Sequence, residues 1–279
     1  MKTFLKALSL LLFLLLPLPS QAWNALGHMV VATIAYQHLQ PTVRDKIDQF
    51  TPGFEAEYPQ IKSFSQLAPW PDQLHLQRIE TYSHWHYIDT PFSDDGTPLT
   101  NTIDTDNAVW AVNTIRQVIK NQHANPYERS RFLAFFIHII GDLHQPLHTV
   151  SRLSKQHPDG DRGGNLYYIQ YQNERVRLHH AWDGGLGLFE HDSSTKNAEN
   201  IAATITSHYP ESFFGARASD INPTHWVDEG VENAKQYVYH TPEEEPISPT
   251  YLDSGNRVIE QETALAGYRL AALLNQLLA

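Results

Sequence analysis

The chain contains no cysteine, so no disulfide staples its fold, and a bound ion is the obvious substitute for such a cross-link. It also lacks a transmembrane run. The one apolar stretch, Leu8 to Leu16, follows Lys2 and Lys6 and precedes the small residues of Ser20-Gln21-Ala22. That order predicts a secretory signal over residues 1–22, with a mature chain starting at Trp23. The stretch is too short to span a bilayer, and Trp23 in place of a cysteine excludes lipid attachment at the cleavage site. Positive charge is scarce as well: 20 Lys and Arg stand against 31 Asp and Glu, a formal net charge of −11. A general coat for polyanions is thereby excluded, and a phosphate ligand would have to be drawn in by cations held in a site. No serine or cysteine nucleophile motif is evident, and no Glu-x-x-His repeat suggests a di-iron bundle.

What the sequence does have is helical periodicity. Apolar residues recur at three- and four-residue spacing over Ala25–Leu39, Val43–Phe50, Asp106–Asn121, Glu128–Leu143, Ala198–His208, Thr224–Tyr239 and Asn256–Leu278. The expected fold is an all-α, single-domain helical bundle over residues 23–279. One β-hairpin is expected, with Leu166–Tyr171 and Arg175–Leu178 flanking Gln172-Asn173. Pro and Gly mark loops over Thr90–Thr102, Ser151–Gly164 and Thr241–Thr250, where Glu243-Glu244-Glu245 reads as a solvated run.

The chain also has 16 histidines. His138 and Asp142 are four apart within an otherwise apolar helix, so they face one spot, and burying them there without a cation would be costly. Pro146 should end or bend that helix and swing His148 away from the first pair. His179 and Asp183 repeat the four-residue spacing at what reads as a helix start, while His180 falls off that face. Asp72 and His86 are weaker candidates, each more often structural when taken alone. His28 gains meaning only from Trp23, whose free α-amine and carbonyl could chelate beside it after signal removal. His123, His157, His191, His208, His225 and His240 are scattered and expected in solvent.

These residues occur in an ordered series: Trp-x-x-x-Gly-His at 23–28, Trp-x-Asp at 70–72, His-Tyr-Ile-Asp at 86–89, the 138–148 block, Gly-Gly-Asn at 163–165 and His-x-x-x-Asp at 179–183. The series resembles the zinc-dependent single-strand-specific nucleases and 3′-nucleotidases of fungi and plants, which share a helical fold with bacterial zinc phospholipases C. The resemblance covers nearly the whole mature chain. It implies three zinc ions: one held by Asp72, His86, His138 and Asp142, a close neighbour held by Trp23, His28 and a bridging Asp142, and a third held by His148, His179 and Asp183. Nitrogen and oxygen donors without sulfur suit catalytic zinc. It further implies in-line attack of metal-activated water on phosphorus, with 5′-phosphate products. Asn165 and Arg162 would hold phosphate oxygens, and Tyr87 and Asp89 would form a base pocket, although a tyrosine packed beneath the metals is the competing structural reading. A stacked, unpaired base accounts for single-strand preference. Two departures stand out: His75 occupies a position where relatives often carry arginine, and the disulfides of eukaryotic members are missing.

The expected protein is therefore a secreted or periplasmic monomer, without a membrane anchor, that hydrolyses single-stranded nucleic acid and nucleotides. The alternative on the same metal core is a phospholipase C-like phosphodiesterase. A metal-storage protein is a third reading, which the ordered spacing of the ligands disfavours.

Overall fold

The computed structural model describes residues 23–55 and 57–279; the expected signal over 1–22 lies outside the described residues. Helices dominate, in the order α1 (Ala25–Gln37), α2 (Pro41–Asp48), α3 (Pro52–Glu55), α4 (Phe64–Leu67), α5 (Trp70–Leu76), α6 (Ala108–Lys120), α7 (Pro126–Asp142), α8 (Leu178–Asp183), α9 (Thr195–His208), α10 (Glu211–Phe214), α11 (Pro223–Asn233) and α12 (Pro249–Leu278). The long helices begin where capping chemistry is present. The Asn24 side chain accepts from the Leu26 and Gly27 N–H groups, and Asn125 and Ser248 cap helices whose first residue is proline. Such caps satisfy N–H groups that the helix itself leaves unpaired. Ser248 and Pro249 also explain why α12 starts well before Asn256, where apolar periodicity alone would begin it. The helix expected to reach Tyr239 instead passes into a π-turn at Ala234–Val238.

Two two-stranded sheets decorate the bundle. The expected hairpin is present as β3 (Tyr168–Tyr171) paired antiparallel with β4 (Glu174–Arg177), with Gln172 and Asn173 both at positive φ in the turn. The other sheet corrects the sequence reading. Parts of two segments read as loops pair in parallel as β1 (Thr90–Phe92) and β2 (Val150–Arg152), with Thr90 opposite Val150. Three-residue strands are too short to show a two-residue period, so no pattern announced them. The glutamate run is also less free than expected. Glu243 meets a partly buried His157 at 3.2 Å, and Glu244 meets Arg175 at 2.5 Å.

Helices α1 and α7 lie deepest: α1 is buried from Leu26 through Ala35, and α7 from Leu133 through Asp142. A helix apolar around its whole circumference is a core helix, so any histidine or aspartate on it is buried with it. α1 packs on α12, α9, α4 and α7. Its approach to α12 depends on Gly267, where a Cβ would sit 2.5 Å from Ile34 Cγ2. Two residues along, the buried Arg269 guanidinium donates to both Glu229 oxygens at 2.8 and 3.1 Å and lies 3.0 Å from His144 Nε2, which ties α12 to α11 and to the end of α7. Among the described residues no helix is long and apolar enough to cross a membrane.

Replacing Gly267 with valine should force α1 and α12 apart and destabilise the fold by about 1–3 kcal/mol. Denaturant unfolding followed by circular dichroism measures this, and an unchanged midpoint would show that the two helices are not held at that spacing.

Candidate metal centre

The deep helices bring their polar residues to one place. His28 from α1 stacks on His138 from α7, with ring centroids 3.8 Å apart. Asp72, in the first turn of α5, lies 3.3 Å from His138 Nε2. His86, at the end of a 3-10 turn over Ser83–His86, points Nδ1 to 3.0 Å from His138 Nε2. Asp142 stands between these side chains. Its Oδ1 faces His28 Nε2 at 3.3 Å, while Oδ2 faces His86 Nδ1 at 3.1 Å and His138 Nε2 at 3.4 Å. One carboxylate thus presents an oxygen to each of two donor groups, His28/His138/Asp142 and Asp72/His86/His138.

A third group forms beside them. α7 ends at Asp142, and Pro146 opens a 3-10 turn that carries His148 away from the helix axis. His148 meets His179 Nε2 to Nε2 at 2.9 Å, and His179 lies 3.4 Å from Asp183 Oδ1, one turn along α8. The parallel β1/β2 pair couples this group to the first. His148 Nδ1 donates to the His86 carbonyl at 2.7 Å, and Ile88 N–H donates to the His148 carbonyl at 2.8 Å.

Three of the rings are oriented by the backbone. His138 Nδ1 donates to the Ala68 carbonyl at 2.8 Å, His148 Nδ1 to that of His86, and His179 Nδ1 to that of Gly163 at 2.5 Å. With the proton on Nδ1, the Nε2 atoms of neutral His148 and His179 carry lone pairs. The facing Nε2 atoms of His148 and His179 then have no proton to share, a repulsive contact that a cation between them would turn into ligation. Buried polar atoms without hydrogen-bond partners occur in the same place: both His28 ring nitrogens, Asp72 Oδ1 and Asp142 Oδ1. Orphaned donors of this kind, all nitrogen or oxygen, fit divalent metal.

The electrostatics agree. Burial lowers His28 and His179 well below the usual histidine range, and takes His86 to about 3 and His148 to about 4. These rings are therefore neutral, as ligands must be. Burial also acts on His138, but the adjoining Asp142 and Asp72 carboxylates outweigh it and raise the ring to about 9. Burial drives Asp142 and Asp183 upward, whereas Asp72, despite burial, is held low by His138. A cation would replace protons in this cluster.

The structure brings together every side chain expected to ligate, while Trp23, expected to ligate through its α-amine and carbonyl, also contributes a ring. The Trp23 indole is buried edge-on against Phe189, with centroids 5.6 Å apart. Its neighbour Asn24 donates its N–H to the Asp183 carbonyl at 2.8 Å and its side-chain amide to the Phe189 carbonyl at 2.9 Å. These bonds hold Asn24 against the end of α8 and Phe189. His180 is exposed, as its register requires. Gln145 was missed by sequence reasoning: buried, it donates to Asp183 Oδ1 at 2.8 Å while its own oxygen accepts from Leu147 N–H. Glutamine has no periodic signature, so only the fold shows this contact.

A cleft of about 890 Å³ opens onto the groups at His86, His148 and His179, and is also lined by Tyr87, Asp89, Arg162 and Asn165. Asn165 donates to the Arg162 carbonyl at 2.9 Å. Asp89 is pushed up to about 6 by burial and by the nearby Asp161 and Asp104. The loop bearing Arg162 needs glycine next, because Gly163, at φ +59, would drive a Cβ into the Leu147 carbonyl. A separate cavity of about 640 Å³ beside Tyr36 and Asp48 contains none of these residues.

The family model described as S1/P1 Nuclease matches residues 23–279. Nuclease S1 of Aspergillus oryzae is 26% identical to the chain over an alignment covering 91% of each protein. Endonuclease 2 of Arabidopsis thaliana is 26% identical, over 91% of this chain and 90% of its own. Nuclease P1 of Penicillium citrinum is 25% identical, over 91% of this chain and 97% of its own.

If the three groups hold metal, chelation at neutral pH should lower the melting temperature by about 5 °C or more, and added Zn²⁺ should restore it. Thermal melts with and without EDTA decide this, and coincident curves would overturn it.

Proposed function

The chain belongs to the S1/P1 nuclease family, and from that premise we propose that residues 23–279 form one catalytic domain, a secreted or periplasmic zinc endonuclease. It would cut single-stranded DNA and RNA to 5′-phosphate products, also act as a 3′-nucleotidase, and work as a monomer. The observation that carries this reading is the convergence of buried imidazoles and carboxylates at the floor of a cleft whose lining includes arginines.

Three zinc ions would be held by Asp72, His86, His138 and Asp142, by Trp23, His28 and Asp142, and by His148, His179 and Asp183. Zinc bound there supplies Lewis acidity and water activated near neutral pH. The chain's own residues do the positioning. Asp142, with an oxygen toward each of two groups, sets their separation. The Ala68, His86 and Gly163 carbonyls fix the rings of His138, His148 and His179, and Gln145 holds Asp183. Arg162 and Asn165, at the mouth, would hold phosphate oxygens. Tyr87 would stack on one unpaired base, and Asp89, ionised above a pH of about 6, would accept that base's N–H groups. A duplex hides its ring faces, so this pocket favours single strands.

The phospholipase C-like alternative is not favoured, because the relatives that align with about nine-tenths of the chain are named as nucleases and endonucleases. The storage reading fails for the same reason.

The Asp142→Asn variant should lose more than about a hundredfold in turnover of single-stranded DNA, since it alters a ligand and not merely a ligand's partner. Its far-UV circular dichroism should be kept, and exposed His180→Ala should stay within roughly twofold of wild type. Near-normal hydrolysis by Asp142→Asn would remove that residue from the mechanism.

The family match starts at Trp23, where the expected signal ends. A chain released with Trp23 first would carry a free amine beside His28. One extra residue turns that amine into an amide, which is a poor donor. The extended protein should therefore bind less zinc by metal analysis and cleave DNA poorly, and trimming it back to Trp23 should recover both. Equal zinc content and activity in the two forms would falsify the N-terminal ligand.

A further inference from the structure

The cleft wall formed by residues 75–80 contributes no metal ligand, yet its backbone is unusual. Arg78 follows α5 at φ +62, with its N–H donating to the His75 carbonyl and the Ile79 N–H to the Leu74 carbonyl, each at 2.9 Å. This closes a helix with a left-handed residue, a position where glycine is the usual occupant because a side chain is crowded there. Here the sequence has an arginine. Arg162, which lines the same cleft, is also left-handed, at φ +55. Two arginines in this conformation thus line one cleft, which Arg177 also lines.

Arg78 is not paired within this wall. Its one carboxylate, Glu80, is engaged by His75 Nδ1 at 3.2 Å and Ser83 Oγ at 2.8 Å. Among the described residues no carboxylate pairs with Arg78. Apolar side chains share the cleft with the cations: Leu76 is 66% exposed and Leu166 39%. Single exposed leucines are ordinary, but these two line the same cleft as the arginines. Cations alternating with apolar surface suit a strand whose phosphates and bases alternate in the same way. In a chain of net charge −11, such a stretch has no use as general electrostatic coating.

Resting on the nuclease reading above, we infer that the 75–80 wall is a subsite for nucleotides flanking the cleaved bond. Arg78 pairs with a neighbouring phosphate, and Leu76 packs against the adjoining sugar or base. The enzyme therefore grips a length of unpaired strand as well as the nucleotide at the metal groups. A phospholipid offers one phosphate and no flanking charge, so Arg78 favours the polymer.

The test compares KM for a single-stranded DNA dodecamer with KM for 3′-AMP, in zinc-loaded wild type, Arg78→Gln and Arg78→Gly. Both variants should raise the dodecamer to 3′-AMP KM ratio roughly five- to tenfold, as expected for one partly exposed charge-assisted contact. The slope of log KM for the dodecamer against log salt should fall by about 0.7. Arg78→Gly should melt no lower than wild type, because its backbone suits glycine, which separates lost binding from lost folding. An unchanged KM ratio and salt slope would overturn the subsite. So would phosphatidylcholine vesicle hydrolysis that depends on Arg78 and Leu76 while dodecamer kinetics do not. A wild-type enzyme that leaves the dodecamer intact would instead sink the nuclease reading, and this inference with it.

Discussion

The cost of burying imidazoles and carboxylates side by side is the constraint on which the rest of this structure depends. His28, His138, Asp142, His148 and His179 are all 3% exposed or less, where unpaired charge is severely penalised and lone pairs cannot turn to water. Arranged as they are, they repel one another or compete for protons. A chain without cysteine has no covalent brace against that repulsion, so cations in the three groups would satisfy the donors and join α1, α5, α7 and α8 together. Catalytic capacity and fold stability would then rest on the same bonds.

The surrounding architecture holds these groups in place. α1 can carry His28 to the centre because Gly267 lets α12 approach it closely. α7 stops at Asp142, and Pro146 lets His148 serve a different group from His138 although only ten positions separate them. The short parallel pairing of β1 with β2 connects the His86 and His148 segments through hydrogen bonds in both directions. Further out, Arg269 braces His144 against Glu229, so the turn after α7 is anchored to the two C-terminal helices.

The cleft above this core solves an electrostatic difficulty. A strongly acidic surface repels nucleic acid at long range. Arg78, Arg162 and Arg177 place positive charge where the cleft opens onto the donor groups. Arginines within a cleft give more grip on a flexible strand that can enter than on the outside of a duplex. Selection for single strands would then draw on the arginines of the cleft as well as on the stacking ring proposed at Tyr87.

The sequence by itself determined the helical class, the hairpin at Gln172-Asn173 and most of the donor set. His138 with Asp142 and His179 with Asp183 share a helix face at any four-residue spacing, and an all-apolar helix must be buried. Tertiary structure alone decided which donors meet. Asp72, His86 and His28 lie on three separate segments, and nothing local says that their atoms converge within 4.8 Å of partners on α7. The β1/β2 ladder was invisible because three residues carry no period. Gln145, Arg269 and Arg78 were invisible because a polar side chain gains its role from what the fold sets opposite it. Periodicity records which way a residue faces on its own element, whereas a site depends on distances between elements, and only packing sets those.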